Sequence, residues 1–342
     1  MATISFKPKQ VTKKILSPLH DRAYDVIVNR FGLNDEAERK TLEAIGETYG
    51  ITRERVRQIE NAALNTIRKS DEYKSESGTF EELKALMKEL GVVVPEEEFL
   101  NHISKDQKTQ NHVHLYLVLH DDFKKEKEDE HFKSRWYTDA ELADKVHTSL
   151  KNLYASLSDE DLVPEGDMID KFFDHLKEVS AEYKREEIAK RWLSISKSIS
   201  KNPLGDWGRA DSSNVKTRGI KDYAFLMMRK HGSPMHFREV ADAICNTFGK
   251  KTHFATCHNE LIKDGRFVLV GRGIYALAEW GYKSGVVRDV IKEILKKEGP
   301  LSKEEVVDRV LKERYLKKNT ILVNLQNSKY FKKNKEGLYT IA

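Results

Sequence analysis

The feature that most constrains the fold of this 342-residue chain is a repeat. HGSPMHFREVADAI at 231–244 and EGPLSKEEVVDRV at 298–310 share Gly, then Pro, then a polar helix start and an amphipathic helix. A helical stretch precedes each: KDYAFLMMRK at 221–230 and VRDVIKEILKKE at 287–298. A third follows each: HFATCHNELIKDG at 253–265 and KNTILVNLQNS at 318–328. Each copy then closes in a β pair, RFVLVGRGIYAL at 266–277 and KYFKKNKEGLYTI at 329–341, whose Gly permits the tight turn. A period of this length signals stacked copies of one supersecondary unit.

Fainter copies lie upstream. GVVVPEEEFLNHI at 91–103 follows the helix FEELKALMKEL and leads into NHVHLYLVLHDDF and the strand-like FKSRWYT. DLVPEGDMIDKFF at 161–173 leads into REEIAKRWLSISKSI and NPLGDWG. Three helices followed by a hairpin is the winged-helix plan. The expected fold is mainly α, a helix-turn-helix followed by tandem winged-helix units with small β-hairpin wings. The expected domains are 1–70, 80–140, 141–215, 216–282 and 283–342.

The first domain carries TLEAIGETYGITRERVRQIENAALNTIRKS at 41–70. Thr41 can cap a helix with Leu42, Ile45 and Tyr49 on one face; Gly50 allows a turn and Ile51 plugs it. Thr52 caps a second helix whose apolar stripe is Val56, Ile59, Ala63 and Ile67. Its other face presents Arg53, Glu54, Arg57, Gln58 and Asn61, mostly in the N-terminal half, the part of a recognition helix that meets base edges. Arg suits guanine, Gln adenine, and Glu accepts from cytosine.

Residues 17–69 resemble region four of a housekeeping bacterial sigma factor, through RFGL at Arg30–Leu33 and TRERVRQIE at Thr52–Glu60. The resemblance implies recognition of a promoter −35 element and docking on the β flap of RNA polymerase core. It implies Arg53, Glu54, Arg57 and Gln58 as base-contacting positions, with Arg55 beside polymerase or an activator. After Pro18 the family carries an Arg-Glu pair, where this chain has Leu19, His20, Asp21 and Arg22. Only sixteen residues precede the module, so the expectation is a −35 reader without promoter-melting regions.

Residues 221–280 resemble the HARE-HTH domain, through SPMHFREVADAI, NELIKDGRF and VGRGIYAL. That domain occurs in the delta subunit of bacterial RNA polymerase, where it binds polymerase, in some restriction systems and in chromatin proteins.

The net charge of +5 hides an asymmetry: +4 in residues 1–70, −11 in 71–200 and +12 in 201–342. Basic ends suit phosphate contact. In the third repeat Lys250, Lys251, His253, Thr256 and Asn259 start or line the third helix, and Arg272 tips the wing. There Lys and Arg suit phosphate and Asn259 a base. Lys317, Lys318, Asn319, Asn324, Lys332, Lys333 and Lys335 repeat the pattern in the last unit. Trp136, Trp192, Trp207 and Trp280 are possible base-stacking platforms, with Trp192 and Trp280 read as core.

Other chemistry finds little support. His112 and His114, near His120 and His131, have no metal-ligand spacing, so no metal or other cofactor is expected. Cys245 and Cys257, expected to pack as small hydrophobes, form no disulfide framework and fit a reducing cytoplasm. No apolar run reaches membrane-spanning length. There is no Walker loop, GxGxxG after a strand, HExxH or GxSxG, and the Glu-x-Lys triplets at 72–74, 82–84 and 182–184 lack a nuclease-like setting. The expectation is a cytoplasmic, non-enzymatic, bacterial transcription factor. It binds double-stranded DNA and RNA polymerase core and takes no small-molecule substrate. The alternative is a DNA-binding specificity or interaction subunit of a defence or DNA-modification system.

Overall fold

A computed structural model describes residues 4–176, 179–282, 286–315 and 317–342. It forms two compact units, Met1–Ser200 with Trp207–Ala210, and Lys201–Asp206 with Asp211–Ala342. From the N-terminus come α1 (Pro8–Leu16), α2 (Asp21–Phe31), α3 (Leu42–Tyr49), α4 (Arg53–Lys69) and the short α5 (Asp71–Lys74). Next are α6 (Ser77–Glu89), β1 (Val93–Pro95), α7 (Glu96–Ile103), α8 (Gln107–Leu119), β2 (Lys124–Glu126) and β3 (Arg135–Tyr137). Then follow α9 (Ala140–Ser156), α10 (Glu165–His175), α11 (Glu186–Ile195), β4 (Ile199–Lys201) and β5 (Trp207–Arg209). After these come α12 (Ile220–His231), β6 (Met235–His236), α13 (Phe237–Phe248), α14 (Phe254–Lys263), β7 (Phe267–Gly271) and β8 (Ile274–Leu277). The chain closes with α15 (Val287–Glu298), α16 (Lys303–Glu313), α17 (Lys318–Leu325), β9 (Phe331–Lys333) and β10 (Tyr339–Ile341).

Past α5 the same order recurs four times: helix, short extended segment, two helices, hairpin. The repeat predicts only a helix start near the proline, but in each copy the structure puts an extended residue next to that proline. In every copy that residue pairs antiparallel with a buried aromatic on the last hairpin strand. The pairs are Val94 with Trp136, Val163 with Trp207, Met235 with Tyr275, and Leu301 with Tyr339. All four aromatics are at most 9% exposed. Trp136 and Trp207 thus fill the slot that Tyr275 and Tyr339 fill, in the core rather than as exposed platforms. Trp192 is fully buried and Trp280 half-buried. Each slot holds one large ring and ties the start of the second helix to the hairpin, which fixes the layer order.

In the first unit, one core runs from Val11, Ile15 and Phe31 through Leu64 and Ile67 to Leu83, Leu115, Tyr116 and Trp136. α8 is its axis. The run HLYLVL lacks helical amphipathicity because the helix is covered on several sides, and it packs against both α1 and α7. A second core joins Val92 and Val93, at the start of β1, to Leu150, Phe172 and Trp192 of the next repeat. There Trp192 Nε1 donates to Gly91 O at 3.0 Å, and Arg191 pairs with Glu98 at 2.8 Å. In the second unit, Tyr315 N donates to Val270 O at 3.1 Å, joining the segment after α16 to β7. Cys257 is buried, but Cys245 lies exposed on α13, which corrects its expected packing. Among the described residues no helix is long and apolar enough to cross a membrane.

Candidate nucleic-acid interface

The helix-turn-helix is built from short-range chemistry. Thr41 Oγ1 accepts from Ala44 N at 3.1 Å and starts α3; Thr52 Oγ1 accepts from Arg55 N at 3.2 Å and starts α4. Gly50 ends α3 at φ 63°, the left-handed conformation that glycine adopts without steric cost. The turn also needs Gly46, where a Cβ would sit 2.6 Å from Ile51 O. Val26, Ile45 and Val56 form a small core of their own, with Leu42, Tyr49, Ile51 and Ile59 around it. This core holds α3 and the first turns of α4 clear of the larger core around α8.

The outer face of α4 is therefore free. Thr52, Arg53, Glu54, Arg55, Arg57, Gln58 and Asn61 are all exposed, and the helix brings all seven together. Four of these side chains are paired with one another. Arg57 Nε and Nη2 donate to the two Glu54 oxygens at 2.9 and 2.6 Å, and Arg55 Nη1 donates to Gln58 Oε1 at 3.0 Å. The bonds from Arg57 hold the Glu54 carboxyl below its usual range. Behind the face, burial raises the Glu60 carboxyl even though Arg30 lies 3.5 Å away.

The residues that position the helix left no sequence signal. Arg68 Nε donates to Leu119 O at 2.8 Å and Nη2 to Val118 O at 2.9 Å, so its cation closes the C-terminus of α8. Asn111, fully buried on α8, organises the loop between α2 and α3. Its Nδ2 donates to Gly32 O and Ala37 O, each at 2.9 Å, and its Oδ1 accepts from Arg39 Nε at 2.7 Å. The histidines of α8 also serve the core: His112 Nδ1 is 2.8 Å from Thr12 Oγ1, and His114 lies beside Phe31 and Trp136.

Against known proteins, the decisive result concerns this segment. Residues 15–69 match sigma-70, region 4. The RNA polymerase sigma factors SigA of Listeria monocytogenes and Listeria innocua are each 45% identical to this chain over 60 residues. That stretch is 18% of this chain and 16% of each relative, so the chain spans about a sixth of the curated relatives it matches. The N-terminal helix-turn-helix is thus a region-4-like DNA-binding module.

The remaining candidate residues lie in the second unit, on two different repeats. Lys251, Asn259 and Arg272 are exposed, and Lys250 is half-buried with its ammonium 4.4 Å from the Tyr223 ring centre. Lys332 and Lys333 are exposed on β9, Lys333 lying 5.0 Å from the Tyr339 ring centre. The third helices of the four repeats differ sharply. α8 is exposed only at Gln107 and Lys108, and α11 only at Glu186 and Glu187. By contrast α14 exposes Phe254, Ala255, Thr256, Asn259, Ile262 and Lys263, and α17 exposes Lys318, Asn319, Thr320 and Val323.

Proposed function

We propose that this chain is a transcription factor whose α4 reads a promoter element of the −35 type, and whose four repeats are winged-helix units. The observation that carries the reading is the exposed N-terminal face of α4, with Arg53, Glu54, Arg57, Gln58 and Asn61, inside the segment that matches region 4. The module's resemblance makes RNA polymerase core the expected protein partner. A polymerase element such as the β flap would have to meet the module away from the flank that α8 covers. The reading involves no catalytic step.

The repeats divide by what their third helices can reach. α8 and α11 lie in the cores of the first unit, and the +12 charge of 201–342 goes with the repeats whose third helices are open. The first two repeats act as scaffold and protein-facing surface, and the last two as additional nucleic-acid contacts. The third keeps its resemblance to the HARE-HTH domain, for which docking on polymerase is the other available role.

Selection of bound duplexes from a random pool, followed by competition with scrambled duplexes, tests the reading. Enrichment of −35-like elements, relaxed at one base pair by Arg57→Ala, is the expected result. Binding without sequence preference would overturn it. Retention of core polymerase on the immobilised chain tests the partner.

A further inference from the structure

The third repeat carries a partly exposed ladder of flat groups that α4 does not use. Phe254, first residue of α14, is a large apolar side chain left 45% exposed. The His253 ring stacks on it at 4.5 Å with 24° between planes, and the Arg238 guanidinium lies 5.2 Å from its centre. Arg238 also lies 6.0 Å from the Phe237 ring, against which His258 stacks at 4.4 Å and 18°. Phe237 N donates to Gly273 O at 3.0 Å, which places the ladder beside the wing that carries Arg272. Lys250 and Lys251 directly precede the Thr252–His253 pair that leads into α14. Among the described residues no carboxylate pairs with Arg238, although it faces two rings.

We propose that this ladder is a stacking site for unpaired bases of single-stranded DNA, separate from α4. Aromatic faces with cations alongside are how sequence-tolerant single-strand binders hold bases, because every base presents a π-face and every nucleotide a phosphate. A duplex offers no free base face at this depth, so the site selects unpaired strand. An incoming base takes the Phe254 face that Arg238 covers, and the displaced guanidinium meets the phosphate with Lys251 and Arg272. The basic flanks select a polyanion over an apolar protein segment.

The test measures the full chain by fluorescence anisotropy against a labelled oligo-dT strand about 15 nucleotides long, and against an abasic strand of equal length. The parent should bind oligo-dT more tightly than the abasic strand, an arm that needs no variant. Phe254→Ala should weaken oligo-dT binding roughly five-fold or more and leave abasic binding unchanged, while Phe254→Trp retains it. Neither strand is a duplex, so the comparison does not depend on promoter reading and failure of the −35 reading would not touch this site. Equal binding of the two strands by the parent would overturn the proposal. So would a folded Phe254→Ala protein that binds oligo-dT like the parent.

Discussion

Arg57 and Glu54 hold each other on the outer face of α4 through two parallel hydrogen bonds of 2.9 and 2.6 Å. The geometry is the one an arginine uses on the edge of a guanine, so under the proposed function DNA binding would exchange one bidentate partner for another. Arg57→Ala should reduce discrimination at one base pair on the order of tenfold, with a smaller loss on random duplexes. Glu54→Gln should also narrow the gap to the specific site, but by raising affinity for random duplexes. Equal losses on both kinds of duplex for Arg57→Ala would remove α4 as the reader.

Arg68 stabilises the junction between the module and the first repeat. Its two bonds to the last carbonyls of α8 satisfy acceptors that the helix leaves open. Arg68→Ala should cost about 1–3 kcal/mol in urea unfolding, and Arg68→Lys should restore only part, because an ammonium cannot span both carbonyls with a planar fork.

Asn111 is the stronger case. Replacement by Leu leaves the Gly32 and Ala37 carbonyls and Arg39 Nε without their partner. The expected cost is about 1–3 kcal/mol for each buried group left unsatisfied. Hydrogen exchange should show the loop at 32–40 opening before α4 does. Uniform exchange across both would contradict its local role.

The C-terminal hairpin should contribute charge rather than readout. Changing Lys332, Lys333 and Lys335 to Glu should flatten the slope of log K against log salt by roughly 0.9 for each phosphate that is no longer neutralised. All three side chains are exposed, so folding should survive. An unchanged slope would make this repeat a protein-docking module.

Stability should fall on mild acidification. Burial, together with the charge of Arg135, pushes the His147 imidazole down to about 4, against about 6.5 for a free histidine. Arg135 Nε donates to His147 Nε2 at 2.7 Å, which requires the neutral ring. The unfolded chain binds the proton first, so stability is complete above pH about 6.5 and is lost progressively as pH falls toward about 4. Burial lowers His114 in the same direction. Between pH 6.5 and 5, where carboxylates contribute little, the midpoint of urea unfolding should decline, and His147→Gln should reduce the slope. A flat midpoint across that window would refute the assignment.

The helix-turn-helix was legible because its determinants are local. Thr41, Gly50 and Thr52 act on neighbours within a few residues, and the apolar stripe from Val56 to Ile67 has a clean helical period. The last two hairpins were legible through their glycine turns. What stayed hidden depends on residues far apart in sequence. Nothing in RKS at 68–70 marks Arg68 as the cap of a helix ending fifty residues later. Trp136 and Trp207 read as base-stacking platforms until their strand partners showed that they occupy the place of Tyr275 and Tyr339. HLYLVL carried no period because its helix has no solvent face of normal width.

That helix also decides how far the reader can be moved. The lower flanks of α1, α2 and α4 end on α8, and α8 in turn belongs to a repeat whose sheet is completed only at Tyr137. A graft cut after Ser70 would carry its DNA-reading face intact but bring bare apolar surface with it. The smallest transplantable cassette is thus about two and a half times the length of the matched segment, and exchanging recognition specificity between such chains is better done by replacing outer-face side chains of α4 than by swapping whole modules.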